Sequence, residues 1–203
     1  RQQGESQKRF KECLNNLADG SFNKQDWEYL KARDLFGGNF CPDEQKEFLS
    51  SSTMLCSTNA DTKEYNKKRI QGLGTPIAIV KSENNCSEAA NCNSLKAQGL
   101  ANQMVIAKEC EVLLTSNLWK ETGLTNGARG KIKYLIYKNG TKPPMLPSIV
   151  IVQFDQYTGP FFLENLPNCV PIVPVTRSWY MDNKACSRTM LPLVLAYAMT
   201  IHK

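Results

Sequence analysis

Leu191-Pro192-Leu193-Val194-Leu195-Ala196-Tyr197-Ala198-Met199-Thr200-Ile201-His202-Lys203 closes the chain. An apolar run there passes directly into a hydroxyl, an imidazole and an ammonium group. Apolar residues of this kind hold backbone in a core, while Thr200, His202 and Lys203 can each donate to a phosphate oxygen. The stretch reads as the return of the chain to an α/β core that presents an anion contact at its edge.

A unit of such a core lies far upstream. Thr53-Met54-Leu55-Cys56-Ser57 is a short apolar strand that runs straight into Thr58-Asn59-Ala60-Asp61 and a helical stretch to about Gln71. Strand, polar corner and helix form the repeating unit of an α/β sheet. Ile77–Val80, Met104–Ala107 and Val112–Thr115 are further β-rich runs. Before them, Phe10, Leu14 and Leu17 recur at helical spacing over residues 5–18. Asp26–Leu30 reads as a second short helix, and Pro42 opens a third at a position where its missing N–H costs little. Residues 82–94 are rich in Asn, Ser and Cys and predict a mobile surface loop, with weak helical spacing at 95–100. After Asn126-Gly127 the texture changes. Lys131–Tyr137 alternates, Ile149–Phe154 is a strong strand, and Cys169–Val175 carries Pro171 and Pro174, as an edge strand does. Several short strands with Gly and Pro turns over roughly 65 residues predict a small β-barrel.

Composition is that of an ordinary globular chain, 41% hydrophobic and 22% charged over 203 residues. No apolar run approaches the roughly 20 residues that span a bilayer. The net charge of +6 is uneven. Residues 1–50 are near neutral, whereas Arg129, Lys131, Lys133, Lys138 and Lys142 follow one another with no acidic residue between Thr122 and Phe154. A one-sign stretch suits a polyanion; a solvated basic face is the simpler account of charge alone. Eight cysteines form no C-x-x-C pair, and with one His a zinc site is not expected, so reduced thiols in an intracellular protein are.

The phosphate-loop pattern G-x-x-x-x-G-K-[ST] is absent: at Gly130-Lys131 the required first Gly is Thr125 and the required hydroxyl is Ile132. No G-x-S-x-G elbow accompanies the single His. Three clusters remain. Arg1, ahead of the first helix, is either a charge that reaches a transferring phosphoryl group or an ordinary surface Arg. Thr58 and Asn59 sit at a strand-to-helix corner, where they either bind phosphate or sugar or simply cap the helix. Trp119 stacks on a base or, more commonly for Trp, fills a core. The glycines at 123, 127 and 130 suit tight turns.

The order of the clusters is more specific than any one of them. Arg1-Gln2 precedes Phe10, Leu14 and Leu17, then Gly20 and Trp27. Thr58-Asn59-Ala60 with Tyr65-Asn66 comes next, then Leu114-Thr115-Ser116-Asn117-Leu118-Trp119, then Gly123-Leu124-x-Asn126-Gly127-Ala128-x-Gly130. Phe154-Asp155-x-Tyr157-x-Gly159-Pro160 follows, and Arg188-x-x-Leu191-Pro192-Leu193 leads into the closing stretch. This series resembles the C-terminal half of Pif-one-type, RecD-like superfamily-one DNA helicases, particularly the eukaryotic group that includes Helitron transposon helicases. Residues 112–130 and 188–203 carry it best.

The resemblance implies an α/β fold: a partial RecA-like domain, the second motor domain, with an inserted small SH3-like β-barrel. Residues 1–123 would be RecA-like, 124–189 the barrel, and 190–203 the return to the RecA-like domain, stopping within the fifth helicase motif. With Arg1 at the start, both ends read as cuts in a longer 5′→3′ helicase. Arg1 would be the catalytic arginine that faces ATP. Thr58, Asn59, Arg129, Lys131, Thr200, His202 and Lys203 would touch DNA, and no residue would bind a metal. Single-stranded DNA and ATP are the implied partners, with no membrane. ATP and Mg²⁺ would be held mainly by the missing N-terminal motor domain, leaving this part inactive alone. The implied setting is intracellular, nuclear in a eukaryote, in DNA repair, recombination, telomere maintenance or Helitron transposition. A non-catalytic nucleic-acid-binding module or helicase remnant is the alternative, and a protein-interaction barrel a third.

Overall fold

The computed structural model describes residues 7–37, 40–138, 140–162 and 164–200. They fall into two units, Arg1–Ser52 and Thr53–Lys203. The first holds three helices: α1 (Lys8–Ala18), α2 (Lys24–Lys31) and α3 (Pro42–Ser51). Asn23 and Asp26 start α2 with a reciprocal capping box, and Pro42 occupies the first turn of α3 beside the Cys41–Glu44 box. The expected apolar stripe of α1 is not what this unit buries: Leu14 and Leu17 are exposed, whereas Cys13 is fully buried. Asp26 is buried with it. The Asn16 amide, 2.9 Å away, holds its carboxyl below the usual carboxylate range against the cost of burial; the Asn23 N–H and Arg9 add to this.

The second unit carries β1 (Met54–Cys56), α4 (Asn59–Gln71), β2 (Ile77–Lys81), β3 (Glu83–Asn84), α5 (Ser87–Asn91), β4 (Gln103–Ala107) and β5 (Glu111–Leu114). After these come β6 (Arg129–Ile136), β7 (Ile149–Phe154), β8 (Cys169–Ile172), β9 (Val175–Met181), β10 (Lys184–Met190), β11 (Leu193–Leu195) and β12 (Ala198–Thr200). β1 and β12 are not neighbours in sequence but pair in parallel, with Cys56 opposite Thr200. β2 and β4 form an antiparallel pair.

The β-barrel is not found. β6, β7 and β8 lie in an open five-stranded antiparallel sheet of order β11-β5-β6-β7-β8, and β3, β10 and β9 form a second sheet. No strand pairing among the described residues closes either sheet. Two of the five strands, β5 and β11, come from outside residues 124–189. β8, with Pro171, is an edge strand, as its prolines predict. Two glycines have separate reasons. Gly123 has a φ of +87°, and a Cβ there would strike the Gln156 carbonyl. Gly130 is within β6, where a Cβ would meet the Gln153 carbonyl and come within 2.8 Å of Val152.

Residues 82–94 are not a plain surface loop, since they hold β3 and α5. β3 pairs with β10, and the segment closes around Arg188, which has no solvent exposure. Its guanidinium donates to Asn84 Oδ1 at 3.0 Å and to the carbonyls of Leu100, Ala89 and Cys92. The ring of Trp179 lies 5.9 Å from it. A buried cation with only dipoles around it needs each of those acceptors, so the side chain ties polar chain into place. The helical spacing at 95–100 becomes a series of turns that bury Ala97 and Leu100 and pass through positive φ at Gln98 and Gly99. β9 and β10 join at Asp182-Asn183, both with positive φ, the geometry that suits a two-residue hairpin.

Candidate functional site

α4 begins where β1 ends, and its first turn is close to the end of β12. Parallel strands with a helix between them gather their carboxyl ends on one edge, which is where open α/β sheets bind ligands. The lock that sets this arrangement is Asn66, buried on α4. Its Nδ2 donates to the Ala198 carbonyl at 3.1 Å, and its Oδ1 accepts the Ala198 N–H at 2.9 Å. Around it, the Tyr197 carbonyl accepts the Met54 N–H at 2.8 Å, the Ala196 N–H donates to the Glu111 carbonyl at 2.9 Å, and the Tyr197 hydroxyl accepts the Glu111 N–H at 3.2 Å. Ala196, Tyr197 and Ala198 are all buried. Their small-large-small order fits a backbone clasped on both sides.

Of the residues expected to touch DNA, the structure brings together Thr58, Asn59 and Thr200. The Thr200 hydroxyl donates to Asn59 Oδ1 at 3.4 Å, a long bond between exposed groups. The Asn59 amide nitrogen donates to nothing among the described residues. Thr58 is a helix cap: its Oγ1 accepts the Asp61 N–H at 3.1 Å and donates to the Asp61 carboxylate at 2.7 Å. Its one proton is therefore committed, and the Asp61 charge stands beside it.

Arg129 and Lys131 are elsewhere, on β6. Arg129 is ion-paired with Glu111, a mostly buried carboxylate, and Lys133 holds Glu109 at 2.9 Å. Two of the five cations of the acid-free stretch are thus answered by carboxylates on the neighbouring chain around β5. Lys131 is exposed, opposite Glu111 and Gln153 in the sheet. Arg1, His202 and Lys203 lie outside the described residues.

The structure adds two cations that sequence reading passed over. Lys63 and Lys67, one helical turn apart on α4, line a cleft of about 430 Å³ with Asn66, Gln103 and β11. They have no ion-pair partner among the described residues, unlike Lys68, which holds Glu64 at 2.7 Å. Their i, i+4 spacing, in register with Asn66, was the available signal. A second cleft of about 320 Å³ lies between Thr62, Thr115, Asn126-Gly127 and Met199-Thr200. Trp119, for which a core place was the commoner expectation, is 41% exposed, and its backbone forms a bridge with Leu124. Among the described residues no group of His, Cys, Asp and Glu could hold a metal ion, and no helix is long and apolar enough to cross a membrane.

No protein-family model matches the chain. It is 29% identical to the ATP-dependent DNA helicase PIF1 of Xenopus laevis over 156 residues, 75% of this chain and 21% of that protein. To the human ATP-dependent DNA helicase PIF1 it is 29% identical over 161 residues, again 75% and 21%. To Pif1 of Campylobacter jejuni it is 25% identical over 167 residues, 74% of this chain and 33% of the relative. The chain thus spans about a fifth to a third of the length of the curated relatives it matches. Among solved structures it superposes on Pif1 helicase from Candida albicans with a TM-score of 0.64 at 20% identity, covering 96% of this chain and 44% of that one. Bacteroides Pif1 bound to ssDNA gives 0.56 at 18% identity, with 100% and 41% covered. Both share the mixed α/β fold described above.

Proposed function

We propose that this chain, Pif1-like in sequence and fold, is part of the second motor domain of an ATP-dependent 5′→3′ DNA helicase and grips the backbone of single-stranded DNA. The observation that carries the reading is the convergence of Asn59 and Thr200 where α4 meets the ends of β1 and β12. A neutral amide and a hydroxyl, held loosely to one another, are free to turn to a phosphate or sugar oxygen at little cost. Thr58, committed to Asp61, contributes by holding the first turn of α4. Lys63 and Lys67 provide the charge. In this reading the strand runs along their face of α4 and away from Asp61.

ATP and Mg²⁺ are ligands of the parent enzyme. The residues of this chain do not fit them unaided, because the sequence has no phosphate loop and no acidic cluster is assembled among the described residues. The chain's share of its relatives' length supports a longer parent that supplies the nucleotide site.

The test is fluorescence anisotropy of a labelled oligothymidylate over a salt series. Affinity is expected to fall with salt. Lys63→Ala with Lys67→Ala should flatten the log–log slope by about 0.7 per lysine, whereas Asn59→Ala and Thr200→Ala should weaken binding at unchanged slope. A wild-type affinity indifferent to salt, or a double-lysine variant indistinguishable from wild type, refutes the grip.

A further inference from the structure

We propose that Cys86 and Cys186 are a thiol pair that closes reversibly to a disulfide, clamping the corner between β3 and α5 onto β10. Their Sγ atoms are 3.7 Å apart, although 100 residues separate them in sequence. The sheet places them there. The β3–β10 register pairs Asn84 with Arg188, and the Asn85 N–H donates to the Ser187 carbonyl at 3.2 Å. One step further along, Cys86 faces Cys186 at the non-hydrogen-bonded position of an antiparallel pair, where side chains stand closest and the usual Cα separation of about 4.5 Å lies within the range a disulfide spans. The corner is held against sliding: Asn85 donates to the Ala185 carbonyl at 2.9 Å and accepts the Ser187 N–H at 2.8 Å. Cys92, the third thiol nearby, is engaged elsewhere, its Sγ 3.4 Å from Met181 Sδ.

The two members differ in access. Cys86 is half-buried, whereas Cys186 is almost fully buried. Burial pushes the Cys186 thiol up, so it does not begin the exchange. With a low-molecular-weight disulfide as oxidant, the Cys86 thiolate attacks one sulfur and expels one thiolate, which leaves a mixed disulfide on Cys86. Cys186 then gives its proton to solvent and attacks Cys86 Sγ, expelling the second thiolate. Two protein thiols are oxidised and one small disulfide is reduced to two thiols.

The experiment exposes the folded chain to glutathione disulfide at about pH 8, quenches with acid, and alkylates and maps the remaining thiols. Expected is the loss of two of the eight thiols, a mass about 2 Da below the reduced protein, and one cross-linked peptide joining residues 86 and 186. Dithiothreitol should reverse all three. Amide exchange over 86–92 should slow severalfold in the oxidised form. Cys86→Ser and Cys186→Ser should each abolish the cross-link, while Cys41→Ser retains it. Eight surviving thiols, a glutathione adduct that stays on Cys86, or a cross-link to Cys92 in the wild-type protein would each overturn the proposal, whatever the variants do.

Discussion

Replacing Asn66 by Ala tests whether one side chain holds α4 against β12. The substitution deletes two hydrogen bonds and leaves the Ala198 N–H and carbonyl facing a buried gap. Each bond is worth about 1 kcal/mol net, and each orphaned buried group costs roughly 1–3 kcal/mol. Those figures overlap, and a water entering the gap recovers part of the loss, so about 3 kcal/mol is expected. For a unit of this size that is a fall in Tm of roughly 6–12 °C. The assay is urea and thermal unfolding followed by circular dichroism, with Asn59→Ala as the control. Asn59 is the same residue type on the same helix, but exposed, so its replacement should move stability by less than about 0.5 kcal/mol. Asn66→Asp adds a signature. It keeps the acceptor for the Ala198 N–H but sets a carboxylate against the Ala198 carbonyl, and protonation restores a donor. Its deficit against wild type should therefore shrink as pH falls. An Asn66→Ala variant as stable as the control, or an Asn66→Asp deficit that does not change with pH, refutes the lock.

Arg188→Ala should destabilise the second unit by at least about 4 kcal/mol, since four acceptors lose a charged donor, and Arg188→Lys should recover only part of this; a denaturant midpoint within 1 kcal/mol of wild type would mean the 82–100 segment orders without it. Glu88 has its carboxyl held down to about 2, first by the hydrogen bond from the Lys184 ammonium. A depressed carboxyl stabilises the fold fully above its unfolded value near 4.5 and loses that contribution as pH falls towards 2. Glu88→Gln should flatten this part of the acid limb in melts between those values, and an unchanged acid limb would count against the pair. ATP turnover by this chain alone, with or without DNA, is expected to be negligible in a phosphate-release assay; turnover that survives repurification and is stimulated by DNA would contradict the missing phosphate-loop argument.

Much of the strand and helix order was legible because its signals are local. The helix from Asn59 to Gln71 follows from a Thr cap and the break at Gly72, and the strand at Ile149–Phe154 from its run of β-branched residues. The predicted barrel went wrong at the next level. Short strands with Gly and Pro turns announce β-structure, but closure depends on which edges meet, and β5 and β11 take up the pairing from outside the segment. Of the candidate site, the structure shows only proximity: Thr58, Asn59 and Thr200 lie together, while Arg129 and Lys133 meet carboxylates that a charge count cannot locate. Lys63 and Lys67 were hidden by the high charge of α4, whose every face carries polar residues.

Periodicity, capping chemistry and the order of short motifs act within a few residues, so the chain alone specifies an α/β pattern, a helix start at Thr58 and the absence of a phosphate loop. The order of residues 82–100 comes instead from Arg188, a hundred positions away, because a buried guanidinium must find acceptors and takes them from whatever backbone the sheet brings near. The meeting of Asn59 with Thr200 has the same origin: 141 residues separate them, and only the parallel pairing of β1 with β12, locked by Asn66, puts both on one edge.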